Sequence, residues 1–199
     1  FLGGVVGILN YAFNILIARY TSLEIFGIFS AALGIIYLSQ ISGMSIQSLV
    51  TKTIAKNKEN DLNQYKWNTT ISFAIIGVVA SIIFFLFKVP ISQLASIPKE
   101  LILYLALAII FAFISPVSKG LLLGQEKVIT VNLLLLAETV MKFIIGIVAI
   151  KIGGNISLLI VANAIPPFLT TLFIIPMITF EKKKHTEVNN NWKEFLLMN

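Results

Sequence analysis

Six long apolar stretches, separated by short polar segments, constrain this 199-residue chain more than any other feature. Five of them contain no Asp, Glu, Lys or Arg: residues 1–18, 25–51, 67–87, 101–118 and 152–180. The sixth, residues 128–150, is interrupted only by Glu138 and Lys142. A bilayer core about 30 Å thick is crossed by roughly 20 apolar residues in a helix. Each stretch therefore predicts one membrane-spanning helix.

Composition and pattern exclude the main alternatives to a helical membrane protein. Only 12% of the residues are charged, whereas soluble domains are typically about a quarter charged. Residues 71–87 (ISFAIIGVVASIIFFLF) are apolar on every side, while the strands of membrane barrels alternate apolar and polar residues. The net charge of +6 does not indicate nucleic acid, because the basic residues lie between apolar runs. We predict an all-α polytopic membrane protein with six transmembrane helices and no nucleic-acid partner.

The distribution of basic residues predicts the orientation of these helices. One set of polar segments carries Lys52, Lys56, Lys58, Lys66, Lys119, Lys127, Lys182, Lys183, Lys184 and Lys193. The opposite set carries only Arg19, Lys88, Lys99 and Lys151. Cytoplasmic loops are enriched in Lys and Arg. We therefore expect a multi-pass protein of the cytoplasmic membrane with a cytoplasmic amino terminus.

The predicted domain organisation is one helical lobe followed by a polar linker. Residues 1–180 contain the six helices, and residues 181–199 form a cytoplasmic linker and the start of a seventh helix. Trp192 and Phe195 near the end of the sequence are typical of a chain that returns to the membrane. These features predict a fragment: one six-helix lobe of a longer protein.

Glu138 and Lys142 lie near the centre of the fifth span, where each charge is costly. They are four residues apart with the glutamate first, so they share a helix face and can form an ion pair. One interpretation is a self-neutralised pair that only fixes helix packing. The other is that this face lines a water-filled cavity and meets a charged substrate or a coupling ion.

Polar side chains in three other spans are further candidates for a cavity wall. Asn10 and Asn14 share one face of the first span, and Gln40 and Gln47 share one face of the second. Such amides commonly form hydrogen bonds between membrane helices. If both faces turn inward, they would instead form a wall suited to sugar hydroxyls.

Asn163, Pro166 and Pro167 lie near the middle of the sixth span. Each proline removes a backbone donor and favours a kink or break, and transporters place binding sites at broken helices. We predict Asn163 as a cavity residue and the two prolines as a hinge, with a simple packing kink as the alternative.

Small residues four apart favour close helix contact in membranes. Gly3 and Gly7 have this spacing, as do Gly120 and Gly124. Both pairs are therefore predicted to lie at helix interfaces.

Nothing in the sequence indicates a catalytic, metal or cofactor site. There is no cysteine, one histidine, no HExxH, no Gly-rich phosphate loop and no acidic cluster in a loop. We predict that the chain is not an enzyme and that it has no cofactor.

Several segments resemble one family of membrane transporters. Residues 18–27 (ARYTSLEIFG) are similar to the first outer loop of polysaccharide-unit flippases, and residues 119–125 (KGLLLGQ) are similar to their cytoplasmic turn between helices four and five. Asn132, Glu138 and Lys142 on one helix, and residues 192–195 (WKEF), also fit the pattern of this family. The chain thus resembles the amino-terminal lobe of such a flippase, within the multidrug/oligosaccharidyl-lipid/polysaccharide exporter superfamily.

The resemblance implies transport of a polyprenyl-pyrophosphate-linked oligosaccharide by alternating access, with the lipid tail in the surrounding membrane. It also implies that Arg19 and Lys142 meet the pyrophosphate or acidic sugars, and that Glu138 holds Lys142 or carries a coupling ion, H⁺ or Na⁺. Asn10, Asn14, Gln47 and Asn163 are the remaining candidates for substrate contact. A multidrug/toxin extrusion antiporter for organic cations and a non-transporting membrane scaffold are the alternatives.

Overall fold

The computed structural model describes residues 2–56 and 62–179, and every regular element in these ranges is a helix. The α-helices are α1 (Leu2–Tyr20), α2 (Leu23–Lys56), α3 (Leu62–Leu86), α4 (Lys88–Ala95), α5 (Ile102–Gly124), α6 (Val128–Lys151) and α7 (Ile156–Thr179). A 3₁₀ turn at Lys99–Leu101 precedes α5. The predicted linker and start of a seventh membrane helix at residues 181–199 lie outside the described residues.

The prediction of an all-α polytopic membrane protein is confirmed. Within the described ranges, five helices are long and apolar enough to cross a membrane, namely α2, α3, α5, α6 and α7. The first predicted span forms α1, which has 19 residues and is not among the five. α1 carries the polar residues Asn10, Asn14 and Arg19 within its 19 residues. In lipid, helices satisfy every backbone hydrogen bond within one segment, so β-branched residues such as isoleucine do not prevent them.

The structure differs from the prediction in two segments: α5 is longer than the fourth predicted span, and a polar segment contains a short helix. The fourth predicted span stops at residue 118, but α5 continues to Gly124, because the apolar run Leu121–Leu123 follows Lys119. Lys119 is therefore inside a membrane helix rather than in a loop. The polar segment predicted at residues 88–100 contains the short helix α4, whose Leu94 is exposed.

The connection between α6 and α7 is a tight turn of two glycines. Gly153 and Gly154 have φ values of 88° and 75°, which side chains with a Cβ rarely adopt. The amide of Gly154 donates to the carbonyl of Ala149, and Asn155 Oδ1 accepts from the Leu158 amide at the start of α7. The turn thus ends one helix and caps the next, which holds α6 and α7 side by side.

α5 is the central helix and packs against α2, α3 and α7, while α6 packs against α7 and α1. Glycines allow the closest of these approaches. A methyl group on Gly120 of α5 would lie 2.8 Å from the carbonyl oxygen of Gln47, and one on Gly43 of α2 would lie 2.7 Å from Pro116 Cγ. The prediction that Gly120 lies at a helix interface is confirmed.

Hydrophobic clusters occupy the two ends of the bundle and leave its middle open. The cluster at the lysine-rich end contains Ile46, Val50, Ile54, Val117, Leu121, Leu122, Val131, Leu134 and Ile174. The cluster at the other end contains Ala32, Ile36, Ile97, Leu101, Ile102, Leu105, Ala108, Ile160 and Ala164. A third cluster joins α1 to its neighbours through Phe13, Ile17, Phe29, Leu33, Ala149 and Leu159. Along α2, α5 and α7, the residues between these clusters face a cavity.

Candidate functional site

A cavity of about 340 Å³ lies in the middle of the bundle, between the hydrophobic clusters. Helices α1, α2, α5, α6 and α7 each contribute residues to its wall. Its polar and charged lining residues are Asn10, Tyr37, Gln40, Gln47, Ser115, Lys119, Glu138, Thr139, Lys142 and Asn163. Polar groups are therefore concentrated at the level where a membrane protein can least afford unsatisfied ones.

The carboxylate of Glu138 connects three helices. Lys119 Nζ of α5 donates to Glu138 Oε2 at 2.8 Å, and the two side chains are 11% and 12% exposed. The hydroxyl of Thr170 on α7 donates to Glu138 Oε1. An ion pair at this level compensates two charges that would be costly alone in a low-dielectric surrounding. It also fixes α5, α6 and α7 relative to one another beside the cavity.

Lys142 has a different environment from Lys119. Its ammonium donates to Asn10 Oδ1 of α1 at 3.1 Å and lies 4.6 Å from the centre of the Phe13 ring. Within the described part of the chain, no carboxylate lies within salt-bridge distance of it. Lys142 is thus held by a neutral amide and an aromatic face, and its positive charge is not neutralised.

The predicted ion pair between Glu138 and Lys142 is therefore wrong. The two residues do share one face of α6 and both line the cavity, as their spacing requires. Each finds its partner on another helix, Lys119 for Glu138 and Asn10 for Lys142. The i,i+4 rule considers a single helix, whereas a bundle offers partners on each neighbour.

Of the remaining predicted cavity residues, the structure brings four to the wall and leaves two away from it. Asn10, Gln40, Gln47 and Asn163 line the cavity. Asn14 does not line it, and its amide donates to the carbonyl of Asn10 one turn earlier. Arg19 is exposed at the end of α1 and is also outside the cavity wall.

Pro166 and Pro167 both line the cavity, yet α7 continues through them as one helix. Proline lacks an N–H, so the carbonyls four residues earlier, those of Ala162 and Asn163, lose their normal helical donors. Both of these residues also line the cavity. The hydroxyls of Thr170 and Thr171 lie within hydrogen-bond distance of the prolyl carbonyls, which accept from them. Side-chain hydroxyls thus supplement the helical hydrogen bonds around the two prolines.

The sequence-based reasoning missed Lys119 and Thr170. Lys119 was counted among the cytoplasmic lysines because a charge seemed to end the fourth apolar span. The apolar residues 121–123 that follow it were the available signal that the helix continues. Thr170 carries no signal in the sequence, since its role depends on which residue of α6 faces it across the α6–α7 interface.

The cavity wall combines one neutralised pair with one unneutralised cation. Lys119 and Glu138 cancel, so the described lining carries a net charge of about +1 from Lys142. The described residues contain no group of three or more His, Cys, Asp or Glu that could hold a metal ion. Such a wall can bind an anion at Lys142 and neutral hydroxyl groups at the amides of Gln40 and Gln47.

Comparison with known proteins gives one match. The chain matches the family described as "Polysaccharide biosynthesis protein" over residues 1–199. No curated protein and no solved structure matches it.

Proposed function

Because the chain belongs to the polysaccharide biosynthesis protein family, we propose that it forms part of a transporter that flips lipid-linked oligosaccharide units across the cytoplasmic membrane. The substrate in this proposal is an oligosaccharide joined through a pyrophosphate to a polyprenyl lipid. Its polar head moves through the cavity by alternating access, while its lipid tail remains among the membrane lipids. The transmembrane helices and the family support a multi-pass protein, and the proposal adds a cytoplasmic amino terminus.

The observation that carries the proposal is the unneutralised charge of Lys142 in a mid-membrane cavity. A cation buried without a carboxylate partner is costly, and an anionic substrate group would offset that cost when bound. The phosphates of a lipid carrier supply such an anion. The neutral amides of Gln40 and Gln47, which α2 contributes to the cavity wall, suit the hydroxyl groups of a glycan.

Glu138 is the candidate for ion coupling. Within the described ranges it is the one acidic side chain that lines the cavity. A coupling H⁺ or Na⁺ would therefore be expected to act at this carboxylate, in competition with Lys119. Arg19 and Asn14 lie outside the cavity wall, so the proposal gives them no contact with substrate in this conformation.

The test is a flipping assay with the full chain in proteoliposomes. The probe is undecaprenyl-diphospho-oligosaccharide with a terminal N-acetylglucosamine, loaded in the inner leaflet. Its appearance outside is measured by the transfer of radiolabelled galactose from added UDP-galactose, which an added galactosyltransferase catalyses with release of UDP. Lys142→Met should reduce the initial rate about tenfold or more, because hydrogen bonds to a charged group are worth about 1.5–3 kcal/mol and about 1.4 kcal/mol corresponds to tenfold.

Lys151→Met is the matched control, because it removes the same charge from the exposed end of the same helix. Its flipping rate should remain within about twofold of the wild-type rate, as expected for a surface substitution. Equal losses in both variants, or no loss in Lys142→Met, would contradict the proposal.

The same vesicles distinguish the alternatives. Uptake of tetraphenylphosphonium without lipid flipping would indicate an antiporter for organic cations, which the charge of Lys142 disfavours. Transport of neither probe by the wild-type chain would favour a scaffold and overturn the flippase proposal.

A further inference from the structure

Lys119 is a buried cation on the cavity wall that the proposed function leaves without a role. It lines the same 340 Å³ cavity as Lys142, and the residue is 9% exposed. Its ammonium is occupied by Glu138 at 2.8 Å. The cavity therefore contains two ammonium groups, one of which is bound to an internal carboxylate.

The charge of the proposed substrate does not match the net charge of the cavity wall while Glu138 is bound to Lys119. A diphosphate that joins a lipid to a sugar carries one negative charge on each of its two phosphates. Lys142 supplies one positive charge, and the Lys119–Glu138 pair supplies none. In a low-dielectric cavity an unmatched anion is strongly disfavoured. Two cations would match the diphosphate if Glu138 released Lys119.

On the basis of the proposed function, we infer that Lys119 is a second phosphate-binding residue. The carboxylate of Glu138 binds the Lys119 ammonium as an internal anion until the diphosphate of the substrate displaces the carboxylate. Lys142 then binds one phosphate and Lys119 binds the other.

Thr170 transmits this change to α7. Its hydroxyl has one proton and lies within hydrogen-bond distance of Glu138 and of the carbonyls of Pro166 and Pro167. It donates to Glu138 while Glu138 holds Lys119. When the substrate displaces Glu138, the hydroxyl proton is left to the prolyl carbonyls. The position of Glu138 therefore alters the hydrogen bonding at the two prolines.

The experiment measures binding of two lipids to the full chain in nanodiscs. The two probes are undecaprenyl-diphospho-N-acetylglucosamine and undecaprenyl-monophospho-glucose. We expect the wild-type chain to bind both, because Lys142 alone suffices for one phosphate and the diphosphate displaces Glu138 from Lys119.

Two variants separate the roles of the pair. Glu138→Gln keeps the shape but removes the internal anion, so it should tighten binding of the diphosphate lipid about tenfold and leave binding of the monophosphate lipid unchanged. Lys119→Met is combined with Glu138→Gln, because a lone Glu138 would be left unpaired. This double variant should lose the preference for diphosphate over monophosphate that Glu138→Gln shows.

The inference is overturned if Glu138→Gln weakens diphosphate binding or leaves it unchanged, or if the double variant keeps the preference. Lys142→Met reports on the proposed function separately. If the wild-type chain binds both lipids and Lys142→Met loses both, the proposed site stands whatever Lys119 does. If the wild-type chain binds neither lipid, the proposed function and this inference both fail.

Discussion

Two pairs of glycines with the same spacing occupy opposite environments in this protein. Gly120 and Gly124 of α5 lie against the backbone of α2, where an added methyl group would approach carbonyl oxygens at 2.8 and 3.0 Å. Among the described residues, no atom lies within 4 Å of such a methyl group on Gly3 or Gly7 of α1. The prediction that both pairs lie at helix interfaces is thus confirmed for α5 and wrong for α1. Two glycines four residues apart allow another helix to pack closely against that face. The spacing does not determine whether a helix is present there.

The difference follows from where each helix sits. α5 is surrounded by α2, α3 and α7, whereas α1 packs mainly against α6. At the close contact of α1 the glycine lies on the neighbouring helix, because the ring of Phe13 of α1 packs over Gly146 of α6. The buried ring also meets Phe29 and Phe143 in edge-to-face geometry. The central helix therefore provides small residues to its neighbours, and the peripheral helix inserts a large one.

The largest effect is expected from Gly120→Val compared with Gly7→Val. The new side chain at position 120 would meet the backbone of α2, which cannot move without separating the two helices. Overpacking typically costs about 1–3 kcal/mol and sometimes more, so we expect most of the protein to be lost from the monodisperse peak in detergent. Gly7→Val should elute and melt like the wild type. Equal behaviour of the two variants would remove the distinction between α5 and α1.

The next largest effect is expected at the ion pair between Lys119 of α5 and Glu138 of α6. Lys119→Met leaves Glu138 buried without a cation, and breaking a buried pair in this way costs about 3–5 kcal/mol. The double variant Lys119→Met/Glu138→Gln should recover most of the lost thermal stability, because no charge is then left unpaired. The measurement is thermal unfolding of the purified proteins. A double variant that is no more stable than the single one would show that Glu138 is compensated by another group.

A smaller effect sharpens the description of α1. Gly146→Ala places a methyl group against the ring of Phe13, which is fully buried and has little room to move. A loss of about 1–3 kcal/mol is expected for such overpacking. Adding Phe13→Leu should restore part of the stability in a chemical denaturation series. If the added leucine destabilises further, Phe13 contributes more through its aromatic contacts than through its fit over Gly146.

The smallest effect is expected at the contact between α3 and α5. Ser81 of α3 donates to the carbonyl of Ala106 at 2.7 Å in a buried position. Hydrogen bonds between membrane helices contribute about 0.6 kcal/mol on average and at most about 1.7 kcal/mol, so Ser81→Ala should lower stability by about that amount. Ser72→Ala, an exposed change on the same helix, is the control. A larger loss at Ser72 than at Ser81 would contradict the assigned α3–α5 contact.

The sequence was sufficient to predict the class of fold and most of the candidate cavity wall. Apolar runs of about 20 residues admit one solution in lipid, because only a helix satisfies its own backbone there. Polar residues inside such runs are costly unless they face one another or water. For that reason Asn10, Gln47, Glu138, Lys142 and Asn163 could be proposed as cavity residues before any contact was known, and each of them does line the cavity.

The tertiary structure alone decided which of these groups are partners. Glu138 is bound by Lys119 and Thr170 instead of by Lys142, and Lys142 is bound by Asn10. The hydropathy of a segment reports whether it enters the membrane, but it does not contain the rotation of one helix against the next. That rotation is set by packing around α5, and it determines which lysine of the cavity is neutralised and which remains available to an anion.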